Sequence, residues 1–254
     1  MNKIIALWTY PRSLSTAFCM LTKQRNNLEV IIEPFKYMYY KDYYLKDEEV
    51  LKEYEDKKVF ITYEDVIESL YRLSKKQDVF FKDMAYFVDD KLSSKELKNY
   101  INIFLIRDPK KSIPSLHYIY KKNKLGNITN KDAGYEAVYN IYSQCKNVCN
   151  PLVINADDLE YNTEKIIRRF ELYTRLTKCD TSSWDEKDNP IFHQKSSKIF
   201  HGNTAKTNKF TNLNSNYKET VKNNASLKKV YEYSLKFYEK LINEDYNQSF
   251  EQIF

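Results

Sequence analysis

Two arginines stand where a chain can grip phosphate. Arg12 lies in Tyr10-Pro11-Arg12-Ser13-Leu14-Ser15-Thr16, directly after a short apolar run and at the opening of a helical pattern. The amide groups at a helix N-terminus point outward and carry partial positive charge, so an anion is favoured there. Ser13, Ser15 and Thr16 add hydroxyls, and the guanidinium of Arg12 adds a planar fork that binds two phosphate oxygens at once. The same residues also suit a plain helix start. Arg107 follows a second apolar run in Phe104-Leu105-Ile106-Arg107-Asp108-Pro109, and Ser115 comes eight residues after it. Pro109 fits the first position of a helix. Ser115 then falls about a turn and a half farther on, with its hydroxyl able to face back towards the phosphate that Arg107 would hold. Only seven arginines occur among 41 basic residues, so an arginine in a motif carries weight.

Positioning these groups requires strands that end beside helices. Lys3–Trp8, Leu28–Ile32, Val79–Lys82, Ile101–Ile106 and Leu152–Asn155 are short, continuous, β-branched or aromatic runs, as strands covered on both faces should be. Helical patterns lie between them: Ser15–Arg25, Tyr63–Lys75 behind a Thr62 capping box, Lys110–Lys122, Asp132–Asn147 and Leu159–Leu176. A last amphipathic stretch, Ser226–Asn243, follows. Alternating strand and helix implies an α/β fold with a central parallel sheet of about five strands. In such a sheet the turns after the strands form the ligand-binding edge. Residues 1–254 read as one domain, and the polar stretch 179–216 as a loop covering the site.

Composition narrows the function. The chain of 254 residues has three glycines, Gly126, Gly134 and Gly202, too scattered for a dinucleotide fingerprint or a Walker loop. A formal net charge of +6 suits a polyanionic ligand without a nucleic-acid motif. Four cysteines and three histidines show no metal-ligand spacing, and reduced thiols point to a cytoplasmic protein with no structural metal. No signal peptide or membrane-spanning run is evident.

Pro11-Arg12-Ser13-Leu14-Ser15-Thr16 resembles the 5′-phosphosulfate loop of sulfotransferases that use PAPS (3′-phosphoadenosine 5′-phosphosulfate). Its commoner form is Pro-Lys-Ser-Gly-Thr-Thr. Arg12 stands at the lysine and Leu14 at the glycine, so this loop cannot rely on a left-handed glycine. Arg107-Asp108-Pro109 with Ser115 is similar to the family's 3′-phosphate motif. Ile32-Glu33-Pro34-Phe35 with Tyr39-Tyr40, and Lys82-Asp83-Met84, resemble segments of a bacterial branch, and Ala156-Asp157-Asp158-Leu159 resembles a Tyr-Glu-Asp-Leu helix start. A fainter match, His201-Gly202-Asn203-Thr204 through Phe210, implies that Lys206 or Lys209 reaches the 3′-phosphate.

The resemblance implies a P-loop-like sulfotransferase fold and in-line transfer of a sulfuryl group from PAPS to a hydroxyl or amine of a small-molecule acceptor, with PAP (the desulfated nucleotide) released. Arg12, Ser13, Leu14, Ser15, Thr16, Arg107, Ser115 and Lys206 would hold the donor. Arg12 and Lys82 would stabilise the leaving oxygen. Family members with Lys-Thr-His use the histidine as base, but Met84 stands there. Glu33, at the end of the second strand, is the expected base, with Asp83 and His117 in reserve. Glu33 equally suits pairing with a nearby Lys or Arg, and His117 suits packing. The neighbouring tyrosines from Tyr37 to Tyr44 suit an acceptor pocket, although most of the 23 tyrosines need no such role. The competing classes are a P-loop-like small-molecule kinase and a non-catalytic nucleotide binder on the same fold.

Overall fold

The structure, a computed structural model, describes residues 2–41, 46, 48–56, 59–184, 208–210 and 216–247. Five strands, β1 (Ile4–Thr9), β2 (Leu28–Ile32), β3 (Asp78–Met84), β4 (Ile101–Ile106) and β5 (Leu152–Asn155), form one sheet in the order β2-β3-β1-β4-β5. Every neighbouring pair is parallel. The helices are α1 (Ser15–Thr22), α2 (Lys36–Tyr39), α3 (Glu48–Glu55), α4 (Tyr63–Ser74) and α5 (Ser94–Asn99). They continue with α6 (Pro109–Lys122), α7 (Asn130–Ala133), α8 (Tyr135–Lys146), α9 (Ala156–Thr174) and α10 (Ala225–Asn247).

The strand runs are largely apolar because both sheet faces are covered. Ile4, Ala6 and Trp8 of β1 face one core with Phe81, Phe104 and residues of α4, α8 and α10. Ile5 and Leu7 face the other with Phe80, Ile103, Phe18 of α1 and Phe170 of α9. That alternation is the period of two of a pleated strand. One of the buried polar side chains of the sheet fixes strand alignment. Asn102 of β4 accepts from the Trp8 indole (2.9 Å) and donates to the carbonyls of Leu97 (2.6 Å) and Tyr100 (3.0 Å). Its amide is thereby satisfied where an unpaired one would be costly.

The chain leaves β1 towards β2 on one side and β4 towards β5 on the other. The crevice between the carboxyl ends of β1 and β4 is therefore the switch point of the sheet. Capping sets the helix starts there. Asp108 accepts from the Lys110 amide (2.8 Å) ahead of α6, and Asn155 from the Asp157 amide (3.2 Å) ahead of α9.

The strands fall within two residues of their expected bounds. The expected helix Asp132–Asn147 is instead two helices, because Gly134 takes φ +76 between α7 and α8. A Cβ at Gly134 would lie 2.8 Å from the Tyr10 Cβ, so glycine is required twice over. The short helices α2, α3 and α5 and a single 3-10 turn, Ala85–Phe87, have no counterpart among the expected elements. No described helix is long and apolar enough to cross a membrane.

Candidate functional site

The turn after β1 is wound tightly by two left-handed residues that are not glycine. Arg12 has φ +68, and Leu14, immediately before α1, has φ +66 and ψ +10. A left-handed leucine costs about 1–2 kcal/mol relative to glycine, and strain of this kind gathers at functional sites. Leu14 thus adopts the conformation a glycine would provide, and its side chain packs against the core beneath α1. Thr9 ties the turn to β4: its hydroxyl lies 2.6 Å from Ser13 Oγ and donates to the Leu105 carbonyl (2.9 Å). Ser13, Ser15 and Thr16 are all buried at the start of α1.

The second arginine is fixed through its backbone. The Arg107 amide donates to the Tyr10 hydroxyl (2.6 Å), and the Arg107 carbonyl accepts from Tyr10 (2.8 Å) and Tyr135 (2.9 Å). The two tyrosine rings lie 3.9 Å apart, and the Tyr135 hydroxyl is 2.5 Å from Ser112 Oγ on α6. Burial, before any other cause, pushes both phenols well up, so they remain protonated.

Between these two turns the functional groups meet. Arg107 Nη1 donates to the Arg12 carbonyl (3.1 Å), and Arg12 Nε donates to Ser115 Oγ (2.9 Å). Arg12, Arg107 and Ser115 therefore share one crevice although 103 residues separate the first from the last. Two carboxylates answer Arg107 at a distance: Asp157 and Glu160 oxygens each lie 3.4 Å from it. Asp157 is closer to Lys111 Nζ (2.8 Å) and to the Asp108 amide (3.0 Å). Burial lowers the Arg12 pKa, Tyr217 opposes that, and the positive charge of Arg107 lowers it further. An anion between the two guanidinium groups would relieve both the desolvation and the repulsion.

Across β1 the second set of expected residues is arranged differently. Glu33 has φ +54, and its amide donates to the Lys82 carbonyl (2.7 Å). Lys82, wholly buried in β3, sends Nζ to Glu33 Oε1 at 2.5 Å. Asp83 uses both oxygens on backbone, accepting from the amides of Phe35 (2.9 Å) and Met84 (2.8 Å). Burial pushes its carboxyl well up. Beside Glu33 the rings of Tyr39, Tyr40, Tyr86 and Phe87 pack against one another at 4.8–5.7 Å. Tyr40 and Tyr86 both feel the Glu33 charge.

His117 belongs to neither group. Its Nε2 lies 3.2 Å from Glu219, on the segment leading into α10, and Lys121 reaches the same carboxylate at 2.5 Å. Lys209 is exposed, and Lys206 lies outside the described residues. The residues that composition could not single out are Tyr10, Tyr135 and Tyr217, three among 23 tyrosines.

A crevice of this kind, lined by two guanidinium groups and a helix N-terminus at the switch point of a parallel sheet, is suited to an anion and belongs to an α/β protein. A family model described as "Sulfotransferase domain" matches residues 2–178, and the chain belongs to that family. Among solved structures, the sulfotransferase domain from the curacin biosynthetic pathway shares the fold at 13% identity and a TM-score of 0.53. That match covers 92% of this chain and 97% of that domain. Among curated proteins, the branched-chain-amino-acid aminotransferase-like protein 2 of Arabidopsis thaliana is 29% identical over 172 residues, 65% of this chain. The chain spans only 29% of that relative's length.

Proposed function

We propose that this chain transfers a sulfuryl group from PAPS to a hydroxyl or amine of a small-molecule acceptor. The observation that carries this is the convergence of Arg12, Arg107 and Ser115 in one crevice, with the carboxylates that face Arg107 3.4 Å away. The residues present fit the donor. A strained turn, buried hydroxyls of Ser13, Ser15 and Thr16 and the N-terminus of α1 suit a phosphosulfate. Arg107 and Ser115 suit the 3′-phosphate. The donor supplies a sulfuryl group already activated by its phosphate leaving group.

On the acceptor side Glu33 takes the proton of the attacking hydroxyl. That protonation cancels the charge that binds Lys82, so the buried ammonium is released towards the leaving bridging oxygen as negative charge grows there. One proton transfer thereby couples both halves of the reaction. The aromatic wall of Tyr39, Tyr40, Tyr86 and Phe87 suits the body of a flat or lipid-like acceptor. The four cysteines are free thiols, in keeping with a cytoplasmic setting.

The test is ligand-dependent melting. PAP should raise the melting temperature progressively with concentration, and ATP with Mg²⁺ should not. A response to ATP with Mg²⁺ alone would replace this function with that of a kinase. Radiolabelled PAPS should then pass its label to members of a panel of alcohols, phenols and amines. A protein that binds PAP and transfers to none of them would be a nucleotide binder on the sulfotransferase fold.

A further inference from the structure

We propose that Tyr217 is a positioning residue for the donor nucleotide, holding the Ser115 oxygen so that the serine proton is directed to the 3′-phosphate; this rests on the sulfotransferase reading above. Tyr217 lies beyond the residues that the family model matches, which end at 178. Its hydroxyl donates to Ser115 Oγ at 3.0 Å, the same oxygen that accepts from Arg12 Nε at 2.9 Å. A serine hydroxyl has two lone pairs and one proton. Both lone pairs are taken, and among the described residues no acceptor is recorded for the proton. Ser115 is nearly fully buried, at 3% exposure. Two donors thus hold the Ser115 oxygen, and the serine's own proton is left to give. The nearby carboxylates, Asp157 and Glu160, are engaged with Arg107. A phosphate oxygen is the acceptor such a cluster lacks.

Tyr217 is also placed in advance. Its ring lies 5.7 Å from that of Tyr118, and two residues on Glu219 is held by Lys121 (2.5 Å) and His117 (3.2 Å). Asn224 Nδ2 holds the other Glu219 oxygen at 3.2 Å. Residues 115, 117, 118 and 121 all belong to α6, so the helix that presents Ser115 also fixes the position of the phenol. A ligand that meets a donor already in place loses little ordering entropy on binding.

The experiment measures PAP and AMP affinity by calorimetry for the native protein, Tyr217→Phe, Ser115→Ala and the double variant. AMP lacks the 3′-phosphate. Tyr217→Phe should weaken PAP about tenfold, the size of the one hydrogen bond to a charged group that Ser115 would then make poorly, and AMP less than about twofold. On the Ser115→Ala background the same substitution should add little, because the two hydroxyls act together. Native PAP affinity in Tyr217→Phe, or equal losses for PAP and AMP, overturns the role of Tyr217 and leaves the proposed function standing. Failure of the native protein to bind PAP overturns both, and is read before any substitution is made. Should Tyr217→Phe melt well below the native protein, Glu219→Gln supplies the measurement. It loosens the segment while keeping the phenol, and must lower PAP affinity about threefold without a matching loss for AMP. Native affinity in that variant overturns the proposal.

Discussion

The two sides of β1 solve opposite electrostatic problems at the same edge of the sheet. Towards β4, the Arg107 side chain reaches the Arg12 carbonyl, its own backbone is clamped by the hydroxyls of Tyr10 and Tyr135, and carboxylates lie 3.4 Å away. Towards β3, Lys82 meets Glu33 at 2.5 Å, and Asp83 is absorbed by two backbone amides. Carboxylates meet Arg107 at 3.4 Å on one side, and Lys82 is paired at 2.5 Å on the other. The difference teaches where a polyanion would settle and where a proton would move. It also separates holding from exchange: Arg107 is fixed through its main chain, while in the proposed mechanism the Glu33–Lys82 pair opens once its charge is removed.

The sharpest way to break this contrast is Glu33→Gln. Turnover should fall by about 10²–10⁴, the usual worth of a general base, while PAP affinity stays within about threefold of native. Full activity in that variant would pass the base role to another group. Gly134→Ala should come next. It forces a left-handed alanine and a 2.8 Å approach to Tyr10, the residue that clamps Arg107, and should cost about 3 kcal/mol in urea unfolding. A near-native midpoint would mean that the Tyr10 clamp yields easily. Arg107→Ala should weaken PAP about 10–100-fold and AMP much less, by calorimetry. Equal losses would show that Arg107 does not serve the 3′-phosphate.

The smallest effect is a pH response of opposite sign in two carboxylates. Lysine 121 first, and His117 after it, hold Glu219 down at about 2 against an ordinary value of 4.5. Its contribution is therefore present above about pH 4.5 and lost as pH falls towards 2. Asp83, raised by burial, behaves the other way: the unfolded chain ionises first, so its contribution diminishes as pH rises above 3.8. NMR shifts of the Tyr217 ring followed into acid should report the first, and Asp83→Asn should flatten the second. Shifts of the Tyr217 ring that track the ordinary carboxylate value would disprove the hold on Glu219.

Much of this edge was legible in the residue order because strands buried on both faces leave unbroken apolar runs. Ile4–Thr9 and Ile101–Ile106 therefore announced themselves, and with them the turns carrying Arg12 and Arg107. The stretch Asp132–Asn147 reads as one helix because a lone glycine is tolerated within a helical pattern, and only the approach of Tyr10 shows why this one breaks it. Helices α2 and α5 are only 4 and 6 residues long, too short for a hydrophobic period to emerge. The pairing of Glu33 with Lys82 spans 49 positions and depends on strand neighbours that the chain visits out of order. Tyr10, Tyr135 and Tyr217 were hidden by abundance, since a phenol on its own has no spacing to betray it.

The Asn102 amide has a consequence well downstream of itself. By bonding the Trp8 indole it locks the alignment of β4 against β1 in the middle of the sheet. A slip of a single position would carry everything beyond β4 about 3.3 Å along its neighbour and turn its side chains to the opposite face. The separation of the two guanidinium groups is thus gauged by a neutral amide five residues before the second of them, and a substitution there should disturb nucleotide recognition while touching no atom of the ligand.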